Sequence, residues 1–146
     1  MEEEGGSLTR EGLVVVGIDG TANSQDALEW AVREAVLRAV PLEVLHVRTF
    51  RKKFSETVQG AEEDEEAILD RAIGRALELS ANVRVLGLVA DPPAAEALIE
   101  ESRRADLLVV GGRGLGDFGA LALGSVSHDC ARRSHCPVVI VRSAKR

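Results

Sequence analysis

The sequence predicts an α/β domain, a doubly wound five-stranded parallel sheet carrying four helices. Three observations lead there. Short apolar runs alternate with stretches whose apolar residues recur at helical spacing, the pattern of strands joined by crossover helices. The runs are continuous rather than alternating, as strands buried on both faces require. Aromatics make up only 3% of the 146 residues, so Val, Leu, Ile and Ala must build the core. That length suits one domain and is too short for two.

Taken in order, residues 1–11 are acidic and Gly-containing and read as a disordered tail ahead of a domain spanning 12–143. Leu13 to Ile18 is the first strand, ending at Asp19-Gly20. Asn23 and Ser24 are N-cap candidates for a first helix whose apolar positions are Ala27, Leu28, Ala31, Val32, Ala35, Val36 and Ala39; Pro41 closes it. Leu42 to Val47 is the second strand. Residues 49–60 read as a polar loop containing the charged, mobile run Arg51-Lys52-Lys53. The acidic residues Glu62 to Glu66 open a second helix, where negative charge favours the positive dipole end, and Leu69, Ala72, Ile73, Ala76 and Leu77 trace its apolar face. Asn82 to Val89 is the third strand. Asp91-Pro92 reads as an N-cap with proline at the first helical position, for a helix reaching about Arg103. Asp106 to Gly111 is the fourth strand, followed by a glycine-rich loop, a helix from Ser125 and a last strand, Pro137 to Val141.

Charge narrows the function. The net charge of −6 disfavours a sequence-independent grip on nucleic acid. From Gly111 onward, however, six basic residues face only Asp117 and Asp129, a local +4 that leaves −10 for the rest. This asymmetry suits a small anion, and equally a solvated surface. No apolar run is long enough to cross a membrane, and Met1 to Ser7 shows no secretory leader. Two cysteines, Cys130 and Cys136, make no disulfide framework, so the cytoplasm is the expected compartment. The His128, Cys130, His135, Cys136 group follows no common zinc spacing, and no metal site formed by protein side chains is expected. Cys130 is expected in the core, and His46 as a packed polar residue at a strand end. No nucleophile–base pair or paired-carboxylate site stands out, so no catalytic residue is assigned.

The chemistry concentrates in the loop Gly111 to Ser127. Glycines let main-chain N–H groups approach an anion without a Cβ in the way. The helix beginning at Ser125 points its unpaired N–H groups at the same place. The hydroxyls of Ser125 and Ser127 add donors; Arg113 stands evenly between phosphate contact and solvated loop charge. Together these make a phosphate cradle. It is not a P-loop, because no Gly-Lys-Ser/Thr follows. Gly114-Leu115-Gly116-Asp117-Phe118-Gly119 matches the dinucleotide fingerprint literally, but it does not follow a first strand. Asp117-Phe118-Gly119 spells a kinase triplet without the accompanying catalytic loop. Ligands of such sheets sit beyond the carboxyl ends of the strands, where Asp19, Val47 and Gly111 fall.

Gly111, Gly114, Gly124 and Ser125 fit the pattern Gly-x2-Gly-x9-Gly-Ser/Thr, which resembles the ATP-binding branch of the universal stress protein family. Val16-Gly17-Ile18-Asp19-Gly20-Thr21, Leu45-His46-Val47, Gly124 to His128 and Cys136 to Val141 resemble other segments of that family, so the likeness covers about Leu13 to Arg142. It implies strand order 3-2-1-4-5. It also implies ATP, with adenine near Asp19 and the Val47 backbone, and phosphates on Gly111, Gly114, Gly124, Ser125, Val126 and Ser127; Gly17 and Arg113 are counted with them as nucleotide-binding candidates. Mg²⁺ is expected with it, since phosphates held without a lysine commonly recruit the ion. Asp19 keeps an alternative as a turn residue before Gly20. One departure is Ala90-Asp91-Pro92, where many members have glycine shortly before the proline.

The expected function is an ATP-binding regulatory protein of the stress response whose occupancy alters conformation or partner binding, with at most slow hydrolysis. The alternative is a dimeric interaction protein whose pocket is vestigial or takes another adenine ligand. In the last strand Val138 to Val141 is apolar on both faces, and the segment 137–142 is the expected dimer contact. At a sheet edge it would pair with its copy in a homodimer.

Overall fold

The computed structural model describes residues 12–48, 59–112 and 124–143, with only the backbone of 59–64. The expected tail 1–11, the run Arg51 to Lys53, and the site residues Arg113 and Gly114 lie outside the described residues. The elements are β1 (Val14–Ile18), α1 (Ala22–Arg38), β2 (Leu42–Val47), α2 (Gln59–Leu79), β3 (Val85–Ala90), α3 (Ala94–Glu101) continued by a 3-10 turn (Ser102–Arg104), β4 (Leu107–Gly111), α4 (Ser125–Arg133) and β5 (Val138–Val141).

All strand pairs are parallel and the order is β3-β2-β1-β4-β5. The expected five-stranded, doubly wound sheet is therefore present with four helices. Alternate residues feed two cores. Val14, Val16, Leu42, Val44, Leu107 and Val109 meet α1 and α2 on one face. Leu13, Val15, Leu45, Leu108 and Val110 meet α3 and α4 on the other, with Cys130 among them. Burial pushes the Cys130 thiol up to about 11, as for a neutral group in apolar surroundings. Where α3 crosses β1, a Cβ on Gly17 would lie 2.9 Å from Leu98 Cδ2. The absent side chain lets that helix sit close over the strand.

Element boundaries depart from the sequence expectations in ways that local chemistry explains. Thr21, not Asn23 or Ser24, is the N-cap of α1, and its side chain accepts the Ser24 N–H at 3.3 Å. Asn23 and Ser24 lie in the first turn, and their side chains serve neighbouring segments instead. The helix ends at Ala39, in the left-handed region at φ 58°, with Val40 N–H returning to Ala35 O at 3.0 Å. It has already ended two residues before Pro41. Its buried stripe stops at Ala35, leaving Val36 and Leu37 exposed. Helix α2 begins at Gln59, three residues before the expected acidic start, and Leu77 is exposed beyond the buried Ala72 and Ala76. Asp91 does not cap α3: the N-cap is Pro93, which has no side-chain cap. A residue before proline avoids the helical region, so Pro92 is excluded and the helix starts after Pro93. Asp91 turns to Arg48 instead.

Candidate functional site

At the carboxyl ends of the strands lies a cavity of about 380 Å³, within the size range of small-ligand sites. Its first wall is the end of β1 and the start of α1: Gly17, Ile18, Asp19 and Ser24. The turn between them is tightly bonded. Asp19 Oδ1 accepts from the Thr21 N–H at 2.9 Å and the Thr21 hydroxyl at 2.6 Å. Ser24 Oγ accepts from the Asp19 N–H at 3.3 Å and donates to Thr21 O at 3.0 Å. Gly20 between them has φ +85°, a conformation that glycine adopts without strain. Asp19 thus fills its turn role through one carboxylate oxygen while lining the cavity.

The second wall is the start of α4: Gly124, Ser125, Val126 and Ser127. Gly124 is the N-cap and, having no side chain, supplies no cap. The first-turn N–H groups of Ser125, Val126 and Ser127 have no acceptor within the helix, and the positive dipole end faces the same way. The helix start is anchored from below. Gly124 N–H donates to Gly112 O at 2.8 Å, and the Ser127 hydroxyl reaches Gly112 O at 3.0 Å and Gly124 O at 3.1 Å. Ser127 is buried. Its hydroxyl proton is directed at these carbonyls, and its main-chain N–H lies in the first turn beside those of Ser125 and Val126. Gly111, between the walls, owes its glycine to packing as well: a Cβ there would lie 2.6 Å from Asn23 Oδ1 and 3.1 Å from Asn23 O. That closeness lets Asn23 Oδ1 accept the Gly112 N–H at 2.8 Å, tying the start of α1 to the end of β4.

The third wall is apolar, with Leu45 and Val47 from β2, Pro92 and Ala94 before and in α3, and Leu98. Arg48 joins it, paired with Asp91 at 3.2 Å. His46, one residue before Val47, is buried on the other face, with Nε2 2.5 Å from Glu65 Oε1 and Nδ1 3.4 Å from Ile18 O. It packs as a polar core residue.

Eight of the expected site residues therefore line one cavity: Gly17, Asp19, Val47, Gly111, Gly124, Ser125, Val126 and Ser127. Sequence reasoning missed Arg48 and, apart from Val47, the apolar wall. Arg48 follows directly on β2, and the rule placing ligands beyond strand ends was a signal that could have found it. Pro92 and Leu98 had no signal, because their place follows from where α3 crosses the sheet. Among the described residues, no three His, Cys, Asp or Glu side chains converge to hold a metal, and no helix is long and apolar enough to cross a membrane.

A family model described as the universal stress protein family matches residues 13–142. Curated universal stress proteins of Mycobacterium tuberculosis are 30% identical over 138 residues and 35% identical over 144 residues, covering 89% and 88% of this chain. The chain spans about half the length of these relatives, 48% and 46% respectively. Among solved structures, a universal stress protein in complex with cAMP is 30% identical, with TM-score 0.71 over 93% of this chain and all of that one. A universal stress protein of Archaeoglobus fulgidus in complex with dAMP shares the fold at 18% identity, with TM-score 0.70 over 90% of this chain and 98% of that one.

Proposed function

The chain belongs to the universal stress protein family, and from that premise we propose that its cavity binds an adenine nucleotide and that occupancy regulates the protein. The observation that carries this reading is the uncapped start of α4, facing a cavity whose opposite wall is apolar. Unpaired N–H groups at a helix start hold phosphate; an apolar wall takes a base. The related structure with cAMP supports the ligand class. ATP is the proposed physiological ligand, with Mg²⁺ on its phosphates, and Arg113 and Gly114 are proposed to complete the cradle. Gly17, Asp19 and the Val47 backbone would hold the nucleoside. The cavity would supply binding rather than fast chemistry: Asp19 is its one carboxylate among the described residues, and Oδ1 of that group is held by Thr21. The proposed setting is the cytoplasm.

We further propose a homodimer through β5. That strand is a sheet edge, with Val138 to Val141 half-buried and uncharged, and such an edge seeks a partner. Sedimentation equilibrium at micromolar concentration should give twice 15.6 kDa; a monomer at high concentration would contradict it.

Nucleotide released from freshly purified, acid-denatured protein tests the ligand directly. Adenine nucleotide at stoichiometric level is expected, or else a melting temperature raised by about 5–10 °C at saturating ATP, from roughly 2.7 kcal/mol at a hundredfold excess over Kd. Neither release nor shift would leave the vestigial-pocket reading.

A further inference from the structure

Arg48 is the one cation among the described residues that line the cavity. Its backbone N–H donates to Ala90 O at 2.7 Å, extending the β2–β3 ladder and fixing the root of the side chain. The guanidinium reaches the connection between β3 and α3, where Nη1 donates to Asp91 Oδ1 at 3.2 Å. The Arg48 side chain is 20% exposed and that of Asp91 49%, so the cation is the more covered of the two. An arginine has five N–H donors, and this bond engages one of them.

The surroundings decide what such a group recognises. Leu45, Val47, Pro92 and Leu98 form the same wall. A second phosphate site is a poor fit, because the Asp91 carboxylate already offsets the charge of Arg48, while the N-cap residue of α4 sets no side-chain cap against that helix's N–H groups. A planar, weakly hydrated guanidinium set among apolar side chains is instead suited to lie on a flat π system and to donate to acceptors at its edge.

We propose that Arg48 is a base-recognition residue whose guanidinium packs on the purine of the bound nucleotide, with Asp91 as the positioning residue that holds it in the cavity wall. This inference deepens the nucleotide-binding reading and rests on it.

The test compares AMP with ribose 5-phosphate, which keeps the phosphate and lacks the base. Each is titrated into ¹⁵N-labelled wild type, Arg48→Met, Arg48→Lys and Asp91→Asn, with amide spectra confirming the fold. Arg48→Met keeps the aliphatic stem and removes the cationic plane. It should weaken AMP roughly three- to tenfold while leaving ribose 5-phosphate within about a factor of two. Arg48→Lys restores charge without the plane and should remain weak for AMP. Asp91→Asn should lose less than Arg48→Met, and again for AMP alone. Equal losses for both ligands, full rescue by lysine, or no loss at all would overturn the proposal. Wild type that binds ribose 5-phosphate as tightly as AMP would overturn base recognition alone. Wild type that binds neither would overturn the nucleotide reading itself, and the role of Arg48 with it.

Discussion

Two helices begin side by side at the edge of the same cavity, and the chain finishes them differently. Helix α1 starts at Thr21, whose hydroxyl accepts the Ser24 N–H while Asp19 and Ser24 close the turn around it. Helix α4 starts at Gly124, which has no side chain to offer. The first terminus satisfies itself; the second has no side-chain cap from its own N-cap residue. A side-chain cap is worth about 1 kcal/mol over alanine but only about a few tenths over glycine, so a glycine start facing a cavity keeps its donors open at little cost in stability. The difference separates a structural helix start from a binding one, though both rest on the same fold and adjoin the same strand ends.

The most drastic way to break the comparison is to give α4 the cap it lacks. Gly124 has φ −67° and ψ 162°, which any residue adopts. Gly124→Asp should place a carboxylate on the first-turn N–H groups, raise stability by about a few tenths of a kcal/mol and weaken AMP by a hundredfold or more, since the cap competes for the donors and repels the phosphate. Calorimetry with thermal melts reads both. Unchanged affinity would mean that the phosphates lie elsewhere.

Gly111→Ala attacks the link between the two termini. Its Cβ would strike Asn23 backbone as well as side chain, so relief requires moving the start of α1. A loss of about 1–3 kcal/mol in urea unfolding is expected. A neutral result would show that the approach of α1 to β4 is loose.

The amino end of the sheet serves as a control, far from both helix starts. There, buried Glu43 shares Arg104 with Glu101, and Glu43 Oε1 has no hydrogen-bond partner among the described residues. Burial, then the neighbouring Glu101, push the Glu43 carboxyl up to about 7, against the pull of Arg104. The unfolded chain releases this proton near 4.5, so between those values the folded chain binds the extra proton. The contribution is fully present below pH 4.5 and is lost as pH rises through 7. After discounting for the exposed arginine, the fall is about 1–2 kcal/mol. Glu43→Gln should flatten that part of the stability curve while AMP affinity stays constant; an unchanged curve would remove Glu43 from the account.

The smallest effect belongs to the capped helix. Thr21→Ala should cost about 1 kcal/mol and change AMP affinity by less than about threefold. A larger loss of affinity than of stability would mean that the α1 terminus also binds ligand.

How much of this was legible in the sequence follows from the range of the interactions. The strands were legible because continuous runs such as Val14-Val15-Val16 and Leu107-Leu108-Val109 have few other uses. The start of α4 was legible because glycine before serine at the end of a glycine-rich loop is a local signal. The end of α1 was not: Ala39 takes a left-handed conformation that alanine does not advertise. The cap of α1 was misplaced because Thr21, Asn23 and Ser24 are all good caps, and tertiary bonds to Gly112 and Asp19 decide among them. Arg48 and the apolar wall depend on where β2, β3 and α3 meet, contacts spanning more than forty residues, as the Arg48–Asp91 pair shows.

The central claim is that ligand phosphate goes to the uncapped helix start and not to the capped one. An amide ¹H–¹⁵N titration with AMP observes both at once. The account predicts the largest shifts at Ser125, Val126 and Ser127, with Thr21 to Ser24 moving far less. Shifts concentrated at Thr21 to Ser24, or none at Ser125 to Ser127 at saturation, would contradict it.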